Sequence, residues 1–517
     1  MKWTLDSPVT RRFDSRRGAA EPDTNAGGAS PDSTRAQVGA RGRAAGSEAT
    51  AGEAGTTADG PPTAGDRRSS SADGARGAPE RFREPVDVAR RSAEGSAHAR
   101  RQASSASGRG AAAPVGSSGS VSHAGGITVR PVRARSELTA FIKLPWRLYR
   151  GSPNWVPPLI SERRRHLSRD RNPFFQHAEA EYLLAWRGGE VVGRISAHID
   201  HRLNEFQANR WGLFGFFESV DDPLVAGALL DAASEWLARN GADRIVGPFD
   251  FSTNHECGLL VEGHQYRPQI LENWHHPYYA ELLERNGMTK AMDLLKWQIL
   301  SREHDRVLPV IYELADKLKA DHGIEVRRMR KRDFEAEVRR FMEVYNSAWE
   351  RNWGFVPLTD AELRAYAKEL KPILDERFAY VAEKDGEVAG AALALPDMNR
   401  VLAKLNGRLL PFGWITALAE KRKIDEIRVF ALGVKREYRH TGTAAAFYAE
   451  TWRECLRRPI ARAETGWILE SNEPMNRAME ALGGDVIKRY RIYERPLADG
   501  EPSLALGPSA DRPQPAW

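Results

Sequence analysis

The chain repeats itself. Ile127-Thr128-Val129-Arg130-Pro131-Val132-Arg133 is echoed about 197 residues later by Ile324-Glu325-Val326-Arg327-Arg328-Met329-Arg330, and the same offset carries Gly189-Glu190-Val191-Val192-Gly193 onto Gly386-Glu387-Val388-Ala389-Gly390. Each pentapeptide sits between two apolar runs, Tyr182 to Trp186 with Arg194 to Ile199 and Phe378 to Ala382 with Ala391 to Leu395, so each reads as a hairpin. Asn154-Trp155 matches Asn352-Trp353, and Glu284-Arg285-Asn286-Gly287 matches Glu480-Ala481-Leu482-Gly483 with the spacing kept within a residue. Independent matches at one offset restrict the chain to a fold built twice from one unit. That unit reads strand, one or two helices, hairpin, strand, helix, strand, helix, strand. The first copy spans 126–300 and the second 323–496, and 301–322 reads as a connecting helix, with Val307, Ile311, Leu314 and Leu318 at helical spacing.

The copies differ where chemistry is expected. In the second, an apolar strand from Ile427 to Val434 runs into Arg439-His440-Thr441-Gly442-Thr443-Ala444 and then an Ala-rich helix. Consecutive backbone N–H groups opening a helix favour an anion, because the orphan donors and the helix dipole act together. Gly442 lets a bulky phosphate approach the backbone, Thr443 and Ala444 keep that approach open, and Arg439 can add charge-assisted hydrogen bonds. A strand from Thr465 to Leu469 follows, then Asn472 opening a helix that closes at Gly483-Gly484.

The pattern [RQ]-x-x-G-x-[GA] after a strand resembles the acyl-CoA pyrophosphate loop of the GNAT (Gcn5-related N-acetyltransferase) family, and the segment around Asn472 is similar to that family's second signature. The resemblance implies an α/β (α+β) fold of two consecutive GNAT-type domains, mixed sheets flanked by helices. It implies acetyl-CoA or another acyl-CoA as donor substrate, bound by Arg439, His440, Thr441, Gly442, Thr443, Ala444 and Asn472, with Leu432, Gly433 and Val434 lining the pantetheine and thioester. The general acid of many GNAT enzymes is a tyrosine, which falls here on Met479; a carboxylate found on the fourth strand in some falls on Arg428. Glu426 and Glu470 are therefore the expected catalytic carboxylates, with Tyr490 and Tyr493 as alternative acids. The aromatic segments Tyr345 to Trp349 and Asn352 to Pro357 are expected to roof the acceptor cleft.

In the first copy, placing Trp236 opposite Trp452 sets Pro223-Leu224-Val225-Ala226 against the loop. Proline lacks an N–H, no glycine opens the backbone, and Asp221 and Asp222 repel a pyrophosphate. This copy is expected to be degenerate and to supply part of the cleft.

Residues 1–125 are rich in Ala, Gly, Ser and Arg and poor in aromatics, without periodic apolar residues; such a segment cannot offset its ordering entropy and reads as a disordered tail, as do residues 497–517. Its 18 basic and 14 acidic side chains supply four of the formal +6 charges. Mixed signs, a single lysine and only two aromatics among the arginines, Phe13 and Phe82, argue against a nucleic-acid partner. Thr10-Arg11-Arg12-Phe13 is followed by Asp14-Ser15-Arg16-Arg17 rather than an apolar stretch, and no run of about 20 apolar residues is present to span a membrane. His255-Glu256-Cys257 and His275-His276 lack spaced further ligands for a metal. The two cysteines, Cys257 and Cys455, fall in different copies and indicate no disulfide framework, so the chain reads as cytoplasmic. The expected activity is N-acyl transfer, above all N-acetyl transfer, to the amine of a small molecule or peptide. Two other readings are a non-catalytic acyl-CoA sensor or scaffold, and an aminoacyl-tRNA-dependent transferase of the same fold.

Overall fold

The structure is a computed structural model, and it describes residues 121–497. The tail expectations for 1–120 and 498–517 lie outside the described residues. Val121–His123, placed in the tail by its composition, pairs as β1 with β2 (Ile127–Pro131). Then follow α1 (Arg135–Leu148), α2 (Ile160–His166), the hairpin β3 (Ala178–Arg187) and β4 (Glu190–Asp200), α3 (His201–Gln207), β5 (Trp211–Ser219), α4 (Pro223–Arg239), β6 (Arg244–Gly247), β7 (Leu259–Glu262), α5 (Tyr278–Arg285) and β8 (Thr289–Leu300).

The expected connecting helix forms only in its second half, as α6 (Val310–His322), after a 3-10 segment Ser301–Arg306. The second copy continues with β9 (Glu325–Arg328), α7 (Phe334–Ala348), α8 (Asp360–Leu370), the hairpin β10 (Ala379–Lys384) and β11 (Glu387–Pro396), α9 (Asn399–Leu405), α10 (Gly413–Lys421), β12 (Glu426–Val434), α11 (Thr443–Leu456), β13 (Arg462–Leu469), α12 (Glu473–Ala481) and β14 (Asp485–Pro496). Both hairpins turn where the repeat placed them, Trp186 pairing near Val191 and Lys384 opposite Glu387. The α9–α10 insertion between β11 and β12 has no counterpart of its length in the first copy, and in the repeat it shows only as the longer offset, 216, between Trp236 and Trp452.

All fourteen strands of the described residues join one sheet in the order β1-β2-β3-β4-β5-β6-β14-β8-β13-β12-β11-β10-β9, with β7 beside β14. The mixed α/β architecture is as expected, but the two sheets are continuous and the copies exchange their last strands. β14, the end of the second copy, pairs with β6 of the first; β8, the end of the first, pairs with β13 of the second; and β8 and β14 pair antiparallel with each other. The cores follow the exchange: Tyr490, Ile492 and Tyr493 of β14 bury among first-copy residues, and Trp297 and Ile299 of β8 among second-copy residues.

A further contact between the copies is ionic. His177 Nδ1 lies 2.9 Å from Asp200 Oδ1, and its Nε2 lies 3.2 Å from Glu362 Oε1, the residue that also forms the capping box of α8 with Thr359. Burial opposes protonation of His177, but the hydrogen bonds and charges of Asp200 and Glu362 outweigh it and raise the imidazole to about 9 from 6.5. A raised histidine contributes stability that is complete below pH 6.5 and is lost as pH rises through about 9. With solvent screening allowed for, the contribution is on the order of 1 kcal/mol. We expect the thermal midpoint to fall by about 2 °C over that window and the pH dependence to vanish in His177→Gln; an unchanged profile in the variant would assign the slope to other groups.

Candidate active site

The centre of the second copy is a fork. β12 and β13 are parallel and pair only from Glu426↔Arg462 to Val429↔Thr465; beyond that, β12 stays with β11 and β13 with β8. Lys435 N–H donates to Ala389 O (2.9 Å), and in an antiparallel ladder alternate residues face the partner strand. Gly433 therefore turns its amide groups to β11, and Leu432 and Val434 turn theirs into the fork. The Val434 carbonyl accepts from Arg439 Nε there (3.4 Å). Gly433 has a separate steric reason to be glycine: a Cβ built on it would lie 2.6 Å from the ring of the buried Trp349.

The loop beyond β12 runs as a 3-10 segment, Arg436–Thr441, into Gly442 at φ 90° and then α11. Gly442 is the N-cap and brings no side chain, so the first N–H groups of α11, from Thr443 and Ala444 onward, have no side-chain cap. Arg439 also donates to Ala348 O at the end of α7 (3.2 Å), which holds it beside the fork, and His440 is exposed. Leu314 of α6 packs against the place where a Gly442 side chain would be, 3.3 Å from a built Cβ. Close helix packing is thus a second reason for this glycine, beyond access for a ligand. Asn472 caps α12, accepting from Met475 N–H (3.3 Å), and its buried Nδ2 has no hydrogen-bond partner among the described residues.

The first copy closes both features. The N-cap of α4 is Asp222, so Asp222 is the counterpart of Gly442, and Ala226 lies a turn inside the helix, four residues from where the alignment on Trp236 put it. The Asp222 carboxylate accepts from Leu224 N–H (2.9 Å) and pairs with Arg187 (2.6 Å), using the helix start internally. The fork beyond β5 and β6 is filled by the next segment: Phe249 N–H donates to Phe214 O (2.7 Å), and Asp250 accepts from Phe216 N–H (2.9 Å).

Glu426 and Glu470 do not meet. Glu426 is level with Arg462 and Glu470 is eight residues further along the parallel pair, about 25 Å away at ~3.3 Å per residue. Glu426 is held by Arg462 (2.6 Å), Glu470 by Lys290 (2.7 Å) and by the Asp293 N–H (3.1 Å). Met479 is buried and accepts from Thr465 Oγ1, while Tyr490 and Tyr493 donate to Asn273 O and Glu284.

What the sequence reading missed is the set of charges at the fork itself. Lys488 bridges Glu464 (2.7 Å) and Glu272 (3.4 Å); Lys296 pairs with Glu272; Arg428 lies 3.5 Å from Glu272 and donates to Leu271 O (2.8 Å) and Gly466 O (3.4 Å). All five side chains are at most 1% exposed. Burial, with Arg428 and Lys488 near, brings Lys296 down to about 8 against the attraction of Glu272 and Glu464. For Glu272, the three cations outweigh burial and hold the carboxyl far below its usual range. Charges inside apolar runs, Glu464 between Ala463 and Thr465 and Lys296 between Leu295 and Trp297, were the available signal.

The aromatic segments expected over the cleft bind the two copies together. Tyr345 donates to Asn254 Oδ1, Thr253 Oγ1 to Gly354 O (2.6 Å), Asn254 Nδ2 to Val356 O (3.2 Å), and Trp353 packs 5.2 Å from Trp211.

No family model matches the chain. It is 38% identical over 383 residues to bacterial ceramide synthase of Caulobacter vibrioides (strain NA1000 / CB15N), covering 72% of this chain and 98% of that protein. It is 37% identical over 377 residues to protein YghO of Escherichia coli (strain K12), covering 71% and 95%. Among solved structures, a tandem GNAT protein from the clavulanic acid biosynthesis pathway covers 72% of this chain and 100% of its own at 14% identity, with a TM-score of 0.45. By its likeness to the two curated relatives, each covered nearly end to end, the chain belongs to the family that includes bacterial ceramide synthase and YghO.

Proposed function

We infer that the protein is a CoA-dependent N-acyltransferase whose second copy holds the acyl-CoA and whose acceptor is the amine of a long-chain amino alcohol. The observation that carries the donor assignment is the contrast between the two helix starts. α11 opens on Gly442 without a side-chain cap, beside a fork into which Leu432 and Val434 turn their backbone, whereas α4 is capped by Asp222 and its fork is filled. Uncapped helix N–H groups favour a pyrophosphate. In this reading Thr441 to Ala444 and Arg439 hold it, the Leu432 and Val434 amide groups and Gly433 line the pantetheine, and the Leu432 N–H polarises the thioester carbonyl. The free Asn472 Nδ2 supplies a further donor.

Acyl transfer then joins the amine nitrogen to the acyl carbon and releases CoA thiol with the amine's proton. Glu426 and Glu470 stand outside the fork and are tied in ion pairs, so in this reading they fasten strand ends rather than take that proton. The acceptor class rests on a relative named for ceramide, an amide of a fatty acid and an amino alcohol. It favours a fatty acyl donor over the acetyl group that the family resemblance suggests.

The test is thiol release with acetyl-CoA and with long-chain acyl-CoA, each against a panel of amines that includes a long-chain amino alcohol. Long-chain acyl-CoA with the amino alcohol should turn over fastest. His440→Glu places a negative charge on the exposed loop and should raise the KM for acyl-CoA roughly tenfold, a Coulomb effect of ~1–1.5 kcal/mol near the surface. Gly442→Asp is a poorer probe, because its side chain meets Leu314. An unchanged KM in His440→Glu would remove the donor from this loop, and CoA binding without turnover of any amine would favour the sensor reading.

A further inference from the structure

The α9–α10 insertion carries the most apolar exposed surface among the described residues. Leu410 and Phe412 are each 74% exposed, Leu418 59%, Ile415 52% and Trp414 48%, and α10 buries none of its residues. On α10, Trp414, Ile415 and Leu418 fall within one arc of about 100° of the helix, and the exposed Leu409, Leu410 and Phe412 lie in the loop directly before it. A patch of this size on a folded protein marks an interaction site rather than ordinary scatter.

The charges flanking it select the partner. Lys404, Arg408, Lys421, Arg422 and Lys423 flank these residues in the sequence, all exposed, with Glu420 the one acidic residue in that stretch and itself paired with Lys423 (2.7 Å). Protein interfaces are depleted of lysine, whereas an apolar wedge of Trp, Phe and Leu flanked by basic side chains fits acyl chains below anionic headgroups.

The wedge is also rigidly mounted. Gly407 O accepts from Ile160 N–H (3.0 Å), and Asn406 Oδ1 from Trp146 Nε1 (2.9 Å), so the first copy holds the turn between α9 and α10. Asp397 accepts from Ile270 N–H (3.0 Å) and pairs with Arg267 (3.2 Å), and Asn399 Nδ2 donates to Pro268 O (2.9 Å). Ordering this surface therefore costs little at the moment of binding.

We propose that residues 409–418 dock the protein on an anionic lipid bilayer, with Leu410, Phe412, Trp414, Ile415 and Leu418 inserted at the interface and the flanking lysines and arginines on the headgroups. The segment to which the insertion is tied, 267–272, runs to Glu272 at the fork. The consequence that a lipid amine leaves the bilayer beside the active site rests on the acceptor reading above; the docking itself does not.

The test is flotation of the full chain, without substrate, with vesicles of equal parts phosphatidylcholine and phosphatidylglycerol and with vesicles of phosphatidylcholine alone. Wild type should float with the anionic vesicles, more weakly with the neutral ones and less at high salt. Phe412→Ser and Trp414→Ser, both exposed and so expected to keep the wild-type thermal midpoint, should each lower the partition coefficient about tenfold, the loss expected for one large apolar side chain. Arg422→Gln with Lys423→Gln should remove most of the preference for anionic vesicles. Equal partition of wild type and the serine variants would overturn the assignment. So would a wild type that ignores vesicles but forms a dimer that Phe412→Ser dissociates, which would make the patch a contact between copies. Since no acyl-CoA or amine is present, failure here leaves the acyltransferase reading standing, and failed turnover leaves docking standing.

Discussion

A fragment of residues 323–496, the whole second copy by sequence, will not fold as a soluble monomer, and coexpression with residues 121–322 will recover it. The reason is the exchange of terminal strands. In the intact sheet β13 pairs on one side with β8, which the fragment lacks, and β14 pairs with β6, β7 and β8, all of them missing. The fragment loses the burial of Leu294, Trp297 and Ile299 from β8 and leaves Tyr490, Ile492 and Tyr493 of β14 without their first-copy neighbours. At ~1.5–3 kcal/mol for each large apolar side chain, six such losses are about 9–18 kcal/mol, which matches or exceeds the ~5–15 kcal/mol by which domains are stable. β14 could in principle fold back beside β13, but Lys488 would then lose Glu272. The intact chain should accordingly melt in one transition across both copies, read by calorimetry and by circular dichroism. A fragment that is soluble, monomeric and melts cooperatively would mean that the exchange contributes little.

The repeat made the local units legible. The hairpin turns could be placed because each needs glycine at positive φ, Gly189 at 84° and Gly386 at 86°, and glycine is what the sequence supplies there. β12 was read to within one residue because its apolar run is continuous and ends at a basic, glycine-bearing loop. The strand exchange was hidden because β8 and β14 carry similar alternation, and choosing between them is a long-range matter. The charge cluster was hidden for the same reason: Lys488 and Glu272 are 216 residues apart, and each alone reads as a surface charge. Glu426 and Glu470, each expected as a carboxylate near the chemistry, stand at different levels of the parallel pair, because strand position gives face and order but not which end of the pair opens. The exposed insertion at 397–425 marks the repeat only as a jump in offset, from about 197 at the hairpins to 216 at Trp236 and Trp452, which gives its length but not its exposure.

Replacing Glu272 by glutamine should destabilise the protein by about 3–5 kcal/mol, the usual cost of leaving a buried charge without its partner. Lys488 and Lys296 stand directly opposite each other on β14 and β8, like charges that repel across a ladder. Glu272 faces both of them and Arg428, and Glu464 completes the balance, with Arg462 at its rim (3.5 Å). Three buried cations would then share one buried carboxylate, at the point where the exchanged strands meet the fork. Removing a cation as well, in Glu272→Met with Lys296→Met, should recover most of the loss, because apolar replacement of a buried pair is often neutral. The double-mutant cycle built on Glu272→Met and Lys296→Met should thus show a coupling at least as large as the loss recovered, about 3 kcal/mol, by urea unfolding. The sign with pH follows from Glu272: a carboxyl held far below its ordinary 4.5 contributes stability that is complete above pH 4.5 and is lost as pH falls below it. Wild type should lose stability steeply on that acid limb, and Glu272→Gln should lose much less there, having given up the same contribution already at neutral pH. If the single variant is as stable as wild type, or the two substitutions add without coupling, the cluster does not hold the seam, and the apolar contacts of β8 and β14 alone must account for it.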